Sequence, residues 1–65
     1  MYNLIKEINL KKIENNLYAM YIDGLHLCDY GSFLYYREVD IKIKALKLAD
    51  DFGYITDSDT KITIQ

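Results

Sequence analysis

The sequence predicts an α+β fold, a small and mostly antiparallel sheet packed against one helix near residues 40–52. Three observations lead to this prediction. The pair Asp23-Gly24 separates two apolar runs, a helical stripe of apolar residues ends at Gly53, and residues 61–64 alternate like a final strand. The elements follow one another as β-β-β-(β)-α-β, and strands that precede a helix in this way are typical of the α+β class.

The chain has 65 residues, which is room for one domain, and we expect residues 1–65 to form it. A domain this small is marginally stable unless a disulfide, a metal or a partner adds to its stability. Cys28 is the single cysteine, so no intramolecular disulfide can form. The sequence has no apolar run long enough to span a membrane and no signal-peptide pattern, so we expect a soluble, cytoplasmic protein.

The first segment, residues 2–12, alternates between apolar and polar positions, which predicts a half-buried strand. Lys6 interrupts its apolar parity, which consists of Tyr2, Leu4, Ile8 and Leu10. A helix with Leu4, Ile5 and Ile8 on one face is the competing interpretation.

The next two apolar runs, residues 17–22 and 25–30, flank Asp23-Gly24. A type I′ turn needs positive φ at both central residues, and Asp-Gly supplies it, so we predict a β-hairpin here. Residues 17–22 are apolar at both parities. We therefore expect this strand to be covered on both faces, by the helix on one side and by another chain as the candidate for the other.

Residues 33–37 are predicted to be extended, and residues 39–44 fit either a strand or a helix. The helix over 40–52 is our choice, with Asp40 as its cap and Gly53 as its left-handed exit. Its apolar face would consist of Ile41, Ala45, Leu48, Ala49 and Phe52. Residues 61–64 form the last strand, with which residues 54–56 are candidates for pairing.

Catalytic and metal chemistry has weak support in this sequence. His26 and Cys28 are two residues apart and would share a strand face. A nucleophilic pair needs a third group to orient the ring, and zinc needs about four ligands, which the sequence does not supply around these two residues. We therefore expect no catalytic site, no metal site and no cofactor, and a protein that is not an enzyme.

Protein binding is better supported, through tyrosines, one arginine and an acidic group. Tyrosine and arginine are enriched at interfaces because they combine apolar area with polar tips. Acids at a helix C-terminus oppose the helix dipole, and facing a basic partner would account for them. The predicted protein-binding residues are Tyr18, Tyr21, Tyr35, Tyr36, Arg37, Asp50, Asp51, Asp57 and Asp59.

A second apolar patch on the helix, made of Val39, Ile43 and Leu46, would support a homo-oligomer or docking on a partner. If residues 39–44 were a strand, the same residues would be its inward face. Lysines could also form a stripe for single-stranded nucleic acid, namely Lys6, Lys11, Lys12, Lys42, Lys44 and Lys47. Ten acids against eight bases make a nucleic-acid partner the less favoured one.

The sequence thus indicates a non-enzymatic module that binds another protein. The alternative is a small nucleic-acid-binding or transcription-regulatory domain. The composition is rich in Ile, Lys, Asn, Asp and Tyr, a bias that suits AT-rich codons. With the small size, this bias leads us to expect an inhibitor or regulator from a phage or other mobile element, including an anti-defence protein such as an anti-CRISPR.

Overall fold

The structure, a computed structural model, describes residues 4–31 and 37–65. Its elements follow the chain as β1 (Glu7–Glu14), β2 (Leu17–Ile22), β3 (Leu25–Gly31), α1 (Glu38–Asp51) and β4 (Lys61–Ile64). The strand order in the sheet is β3-β2-β1-β4, in which β2 runs antiparallel to both β1 and β3, and β4 runs parallel to β1. The predicted α+β class with a mostly antiparallel sheet is therefore confirmed.

The hairpin predicted around Asp23-Gly24 is present as β2 and β3. Asp23 has a φ of 49° and Gly24 a φ of 87°, which are the positive values that a type I′ turn requires. Ile22 pairs with Leu25 directly across the turn. The two-residue turn thus sets the register at this end of both strands.

The first strand begins later than the alternation suggested, and its inward face is different. Ile8 and Leu10 are fully buried, as predicted, but Leu4 is 57% exposed while Ile5 is 4% exposed. The chain bends at Lys6, immediately before β1, and the bend reverses which parity points inward. The prediction that Leu4 shares the buried face was wrong, and so was the helical alternative for this segment.

The helix confirms the prediction for 40–52 and makes the strand alternative for 39–44 wrong. It begins at Glu38, and Arg37 is its N-cap residue. Asp40 was predicted to be the cap but is the third helical residue, where its carboxylate accepts the Arg37 backbone N–H at 3.1 Å and the Arg37 Nε–H at 3.3 Å. The carboxylate therefore satisfies a free donor from inside the helix, as in a capping box.

The helix ends in the predicted left-handed glycine. Gly53 has a φ of 89°, and its N–H donates to the Asp50 carbonyl at 2.9 Å. The Tyr54 N–H donates to the Ala49 carbonyl, also at 2.9 Å. This pair of bonds is the Schellman arrangement, which satisfies carbonyls that the last turn would otherwise leave free.

The core lies between α1 and one face of the sheet. The helix contributes Ile41, Ala45 and Ala49, which are at most 7% exposed. Phe52 was predicted on this face but is 54% exposed, because the helix has already ended at Asp51. The sheet and the segment before it contribute Ile5, Ile8, Leu10, Tyr18, Met20, Ile22 and Tyr30.

The opposite sheet face carries no second layer in the part of the chain that the structure describes, and we call it the open face. Cross-strand partners share a face, so the open face includes Asn9, Lys11, Ala19, Tyr21 and His26. Ala19 is only 5% exposed, and it lies in register between Lys11 of β1 and Asp29 of β3. Cover of this face by another chain stays a prediction.

Two connecting segments also bear on the sequence predictions. Ile55 does not pair with β4, as proposed for residues 54–56. It forms a parallel bridge with Leu4, and its carbonyl accepts the Ile5 N–H at 3.0 Å. Residues 61–64 are the predicted last strand, β4. Of the predicted extended segment 33–37, residues 33–36 lie outside the described residues.

Candidate protein-binding surface

An apolar depression lies at the end of the molecule that holds the β2–β3 turn. Leu4, Leu25 and Tyr54 line it, together with Ile5, Ile22 and the charged Asp23, and its volume is about 190 Å³. Ile5 and Ile22 are each 4% exposed, whereas Leu25 is 76% exposed and Leu4 57% exposed. The apolar side chains that line this depression thus include both buried and exposed ones.

Asp23 explains why these residues lie together. Its Oδ1 accepts the N–H groups of Lys6 at 3.0 Å and of Glu7 at 2.9 Å, which ties the start of β1 to the hairpin turn. Leu25 follows Gly24 directly, so the turn places it at the tip of the hairpin. The Schellman exit at Gly53 then brings Tyr54 back toward the same place.

A second depression adjoins the first and shares Leu4 with it. It has a volume of about 240 Å³, and Lys6, Asp57 and Asp59 also line it. Asp57 organises the turn that follows: its Oδ1 accepts the Asp59 N–H at 2.8 Å. Thr60 holds this turn against the rest of the fold, because its hydroxyl donates to the Ile5 carbonyl at 3.2 Å.

Two more apolar side chains are exposed in the connection after α1. Phe52 is 54% exposed and Ile55 is 38% exposed, and Ile55 is the bridge partner of Leu4. We use the name acidic end for residues 4–7, 22–25 and 50–61, which include the lining residues of both depressions. Four large apolar side chains at this end are therefore between 38% and 76% exposed.

The charge at this end differs in sign from that of the rest of the chain. The acidic end holds six acidic and two basic residues, a formal charge of −4, while the rest holds four acidic and six basic residues, +2. The C-terminus of α1 adds the negative end of its dipole, and the last turn of the helix contains no basic residue. Exposed apolar side chains thus lie within a negative field.

The predicted acidic residues all lie at the acidic end. Asp50 and Asp51 close α1, and Asp57 and Asp59 lie in the turn before β4. All four are exposed. The described residues contain no group of three or more His, Cys, Asp or Glu side chains that could hold a metal ion.

The predicted aromatic residues do not join this surface. Tyr18 is 8% exposed and packs in the core with its ring centroid 6.2 Å from that of Tyr30, so its side chain offers very little contact area. Arg37 is exposed, but it caps the other end of α1. Tyr35 and Tyr36 lie outside the described residues.

Tyr21 lies on the open face, beside His26. Their ring centroids are 5.2 Å apart, and His26 Nε2 lies 2.7 Å from Asp29 Oδ1. A shallow groove of about 230 Å³ crosses this face, and Tyr21 lines it together with Asn9. Asn9 Oδ1 is buried there with no hydrogen-bond partner among the described residues.

His26 and Cys28 lie on opposite sheet faces, which corrects the prediction that they share one. The register of β3 shifts by one residue, so that Tyr21 opposes His26 while Met20 opposes Cys28. Adjacent residues of β2 point to opposite faces, and their partners follow them. Burial, with the charge of Asp29, raises the pKa of the Cys28 thiol, which favours its unreactive protonated form.

The lysines proposed as a nucleic-acid stripe are divided among surfaces. Lys11 pairs with Ala19 on the open face, whereas Lys12 pairs with Tyr18, whose side chain points toward the core face. On α1, Lys42 Nζ lies 3.5 Å from Glu38 Oε1. Lys44 Nζ lies 6.0 Å from the centroid of the Tyr30 ring.

The second apolar patch of the helix is only partly exposed. Val39 is 51% exposed and Ile43 is 59% exposed, but Leu46 packs against the core. A broad, open groove of about 600 Å³ runs along this side of α1. Its described lining is mostly charged and of both signs, and consists of Asp40, Ile43, Lys44 and Lys47.

The sequence predictions missed the apolar part of the acidic end. Leu25 was read as an ordinary strand residue, although its place beside an Asp-Gly turn puts it at a hairpin tip. Leu4 was assigned to the wrong face, and Phe52 to the buried stripe of the helix. Phe52 precedes Gly53, and this position just before a helix exit was the signal that it could be exposed.

Comparison with known proteins adds no further constraint: no family model, no curated protein and no solved structure matches this chain. None of the described helices is both long and apolar enough to cross a membrane.

Proposed function

We propose that this protein is a non-enzymatic module that works by binding another protein through its acidic end. The observation that carries the proposal is the exposure of four large apolar side chains at that end: Leu4, Leu25, Phe52 and Ile55. Leu4 connects two of them, because it is the bridge partner of Ile55 and lines the depression together with Leu25. Contiguous apolar surface of this kind is costly to leave in water, and on small proteins it marks a contact site.

The acidic end is favoured over the outer side of α1 because its depression reaches the core. It is lined by the buried side chains of Ile5 and Ile22, so an apolar side chain of a partner would contact the core directly. The described residues that line the groove on α1 include no buried core side chain. Interface hot spots are anchors that fill well-packed pockets, and a depression that opens onto the core can receive such an anchor.

The proposal that the module is not an enzyme is supported by the positions of His26 and Cys28. They lie on opposite sheet faces, so they cannot act together as a nucleophilic pair. Burial also raises the pKa of the Cys28 thiol, which favours its protonated, unreactive form.

A protein of this size that binds through one end can block a surface on its partner, as an inhibitor or regulator does. The proposal includes two expectations drawn from the sequence. These are an origin in a phage or other mobile element and a cytoplasmic location. An anti-defence role, such as that of an anti-CRISPR, is one form that such an inhibitor would take.

A capture experiment with two matched variants tests the proposal. Leu25→Ser and Ile13→Ser each remove an exposed apolar side chain, 76% and 51% exposed, from opposite ends of the fold. We expect wild type and Ile13→Ser to retain the same protein from a lysate of the host cell, and Leu25→Ser to lose it. Retention of nucleic acid instead of protein, or equal retention by all three, would contradict the proposal.

A further inference from the structure

We propose that the partner presents a basic surface, in which an apolar side chain enters the depression between Leu4, Leu25 and Tyr54 and lysine or arginine side chains surround it. This inference rests on the proposed function and specifies the chemistry of the partner. It follows from three observations: the charge distribution, the carboxylates that have no hydrogen bond or ion pair with the described residues, and the loss of helix stability caused by acids at the end of α1.

The charge distribution favours a cationic partner. The −4 of the acidic end contrasts with +2 over the rest of the chain, so a basic surface is attracted to this end and repelled elsewhere. Complementary charges of this kind orient two proteins as they approach, and they increase the association rate more than the final affinity.

Three carboxylates at this end are available for a partner. Asp23 and Asp57 already accept backbone N–H groups within the fold. The carboxylates of Asp50, Asp51 and Asp59 are exposed and make no hydrogen bond or ion pair with the described residues. They lie on both sides of the connection that carries Phe52, Tyr54 and Ile55, so they can receive cations that flank an apolar anchor.

Asp50 and Asp51 are also poorly placed for the stability of the helix. They occupy its last turn, where free carbonyls concentrate negative charge and where basic residues are favoured. Helix formation thus gives no reason for acids at these positions. A basic partner does, because the helix end and the two carboxylates then act together on the same cation.

Other occupants fit less well. Nucleic acid would meet like charge at this end. A second copy of this chain could offer its basic part, but the lysines there are spread over the open face and α1. Both are outcomes that the experiment distinguishes.

The test uses isotope-labelled protein and three synthetic peptide amides, with backbone amide NMR as the readout. The first peptide alternates Lys with Leu, the second Glu with Leu, and the third Lys with Ser. We expect the Lys-Leu peptide to shift the amide signals of Leu4, Leu25 and Tyr54. The Glu-Leu peptide should shift none of them, and the Lys-Ser peptide should bind more weakly than the Lys-Leu peptide.

A charge variant and its control complete the test. The double variant Asp50→Asn and Asp51→Asn should weaken Lys-Leu binding by about three- to tenfold at low salt. It should also raise the melting temperature, which separates lost binding from lost structure. Glu14→Gln, an exposed acid at the other end of the sheet, should change neither quantity.

Several results would overturn the inference. Equal binding of the Glu-Leu peptide, shifts confined to the open face, or unchanged affinity in the double variant would each do so. Shifts that follow protein concentration without peptide would assign the surface to a second copy. A captured protein that needs Leu25 but binds the double variant normally would refute the basic partner while leaving the proposed function intact.

Discussion

At the scale of single residues, Gly53 shows how the end of α1 depends on one backbone conformation. Its φ of 89° lies in the left-handed region, and a Cβ added there would meet no atom within 4 Å. The cost of Gly53→Ala should therefore be backbone strain alone, about 1–2 kcal/mol of unfolding free energy. Urea denaturation measures it, and Gly53→Asn should cost less because Asn tolerates this region. Equal stability of Gly53→Ala and wild type would contradict the role given to Gly53.

Tyr30 gives a prediction about pH. Burial first, then the neighbouring Tyr18 and Cys28, raises the pKa of its hydroxyl from 10.0 to about 12. Below pH 10 the folded and unfolded chains both keep this proton. Between about pH 10 and 12 the unfolded chain loses it first, so stability should fall as pH rises, by at most about 1.4 kcal/mol per pH unit from this group.

The matched variant for this prediction is Tyr30→Phe. It also removes the long hydrogen bond of 3.4 Å from the Tyr30 hydroxyl to the Ile41 carbonyl, which should shift stability by the same amount at every pH. The slope of unfolding free energy against pH above 10 is therefore the diagnostic quantity. Identical slopes for wild type and Tyr30→Phe would show that Tyr30 titrates normally in the folded protein.

At the scale of elements, the β2–β3 turn does more than join two strands. The Asp23 carboxylate accepts two backbone N–H groups from the start of β1, at 3.0 and 2.9 Å. Asp23→Ala removes both acceptors and puts Ala at a φ of 49°, so we expect a loss of about 1–2 kcal/mol in urea unfolding. Asp23→Asn keeps one side-chain acceptor and tolerates positive φ, so its loss should be smaller. A larger loss for Asn than for Ala would refute this explanation.

The last turn of α1 gives a prediction of increased rather than decreased stability. Asp50→Asn and Asp51→Asn each remove a negative charge from the negative end of the helix dipole. Each should raise stability by about 0.3–1 kcal/mol at low ionic strength, and added salt should reduce the gain. Thermal unfolding at low and high salt measures both effects. Destabilisation by either substitution would mean that the carboxylate has a structural partner.

For the individual elements, the correct predictions were those that depend on local backbone conformation. Asp23-Gly24 and Gly53 dictate φ values directly, and so the hairpin and the helix exit were predicted correctly. The bend at Lys6 and the register shift in β3 were not predictable in this way. Each depends on tertiary contacts, and each reverses which alternate residues point to the core face. Leu4 was therefore assigned to the wrong face, and His26 to the same face as Cys28.

At the scale of the whole molecule, the candidate site combines parts that the sequence treated separately. The predicted acids Asp50, Asp51, Asp57 and Asp59 lie at one end, as an interaction surface would require. The apolar side chains beside them come from the start of β1, from the hairpin tip and from the helix exit. Only the fold brings these three segments together, so no pattern along the chain could have shown the surface.

The fold also explains why a chain this small leaves large apolar side chains exposed. One helix covers one sheet face, and its inward side is used by Ile41, Ala45 and Ala49. Ala is small, so the helix can lie close to the sheet. The helix ends before the connection to β4, and the side chains beyond it remain exposed. The acidic end is therefore the place where the covering layer stops.

The most direct test of the acidic end as the binding surface is a calorimetric titration of the captured partner. Wild type, Leu25→Ser and Ile13→Ser are compared after circular dichroism has shown that all three are folded. We expect Leu25→Ser to weaken binding about tenfold or more, since it removes the most exposed side chain of the apolar depression, and Ile13→Ser to leave affinity unchanged. Wild-type affinity in Leu25→Ser, or an equal loss in both variants, would contradict the account.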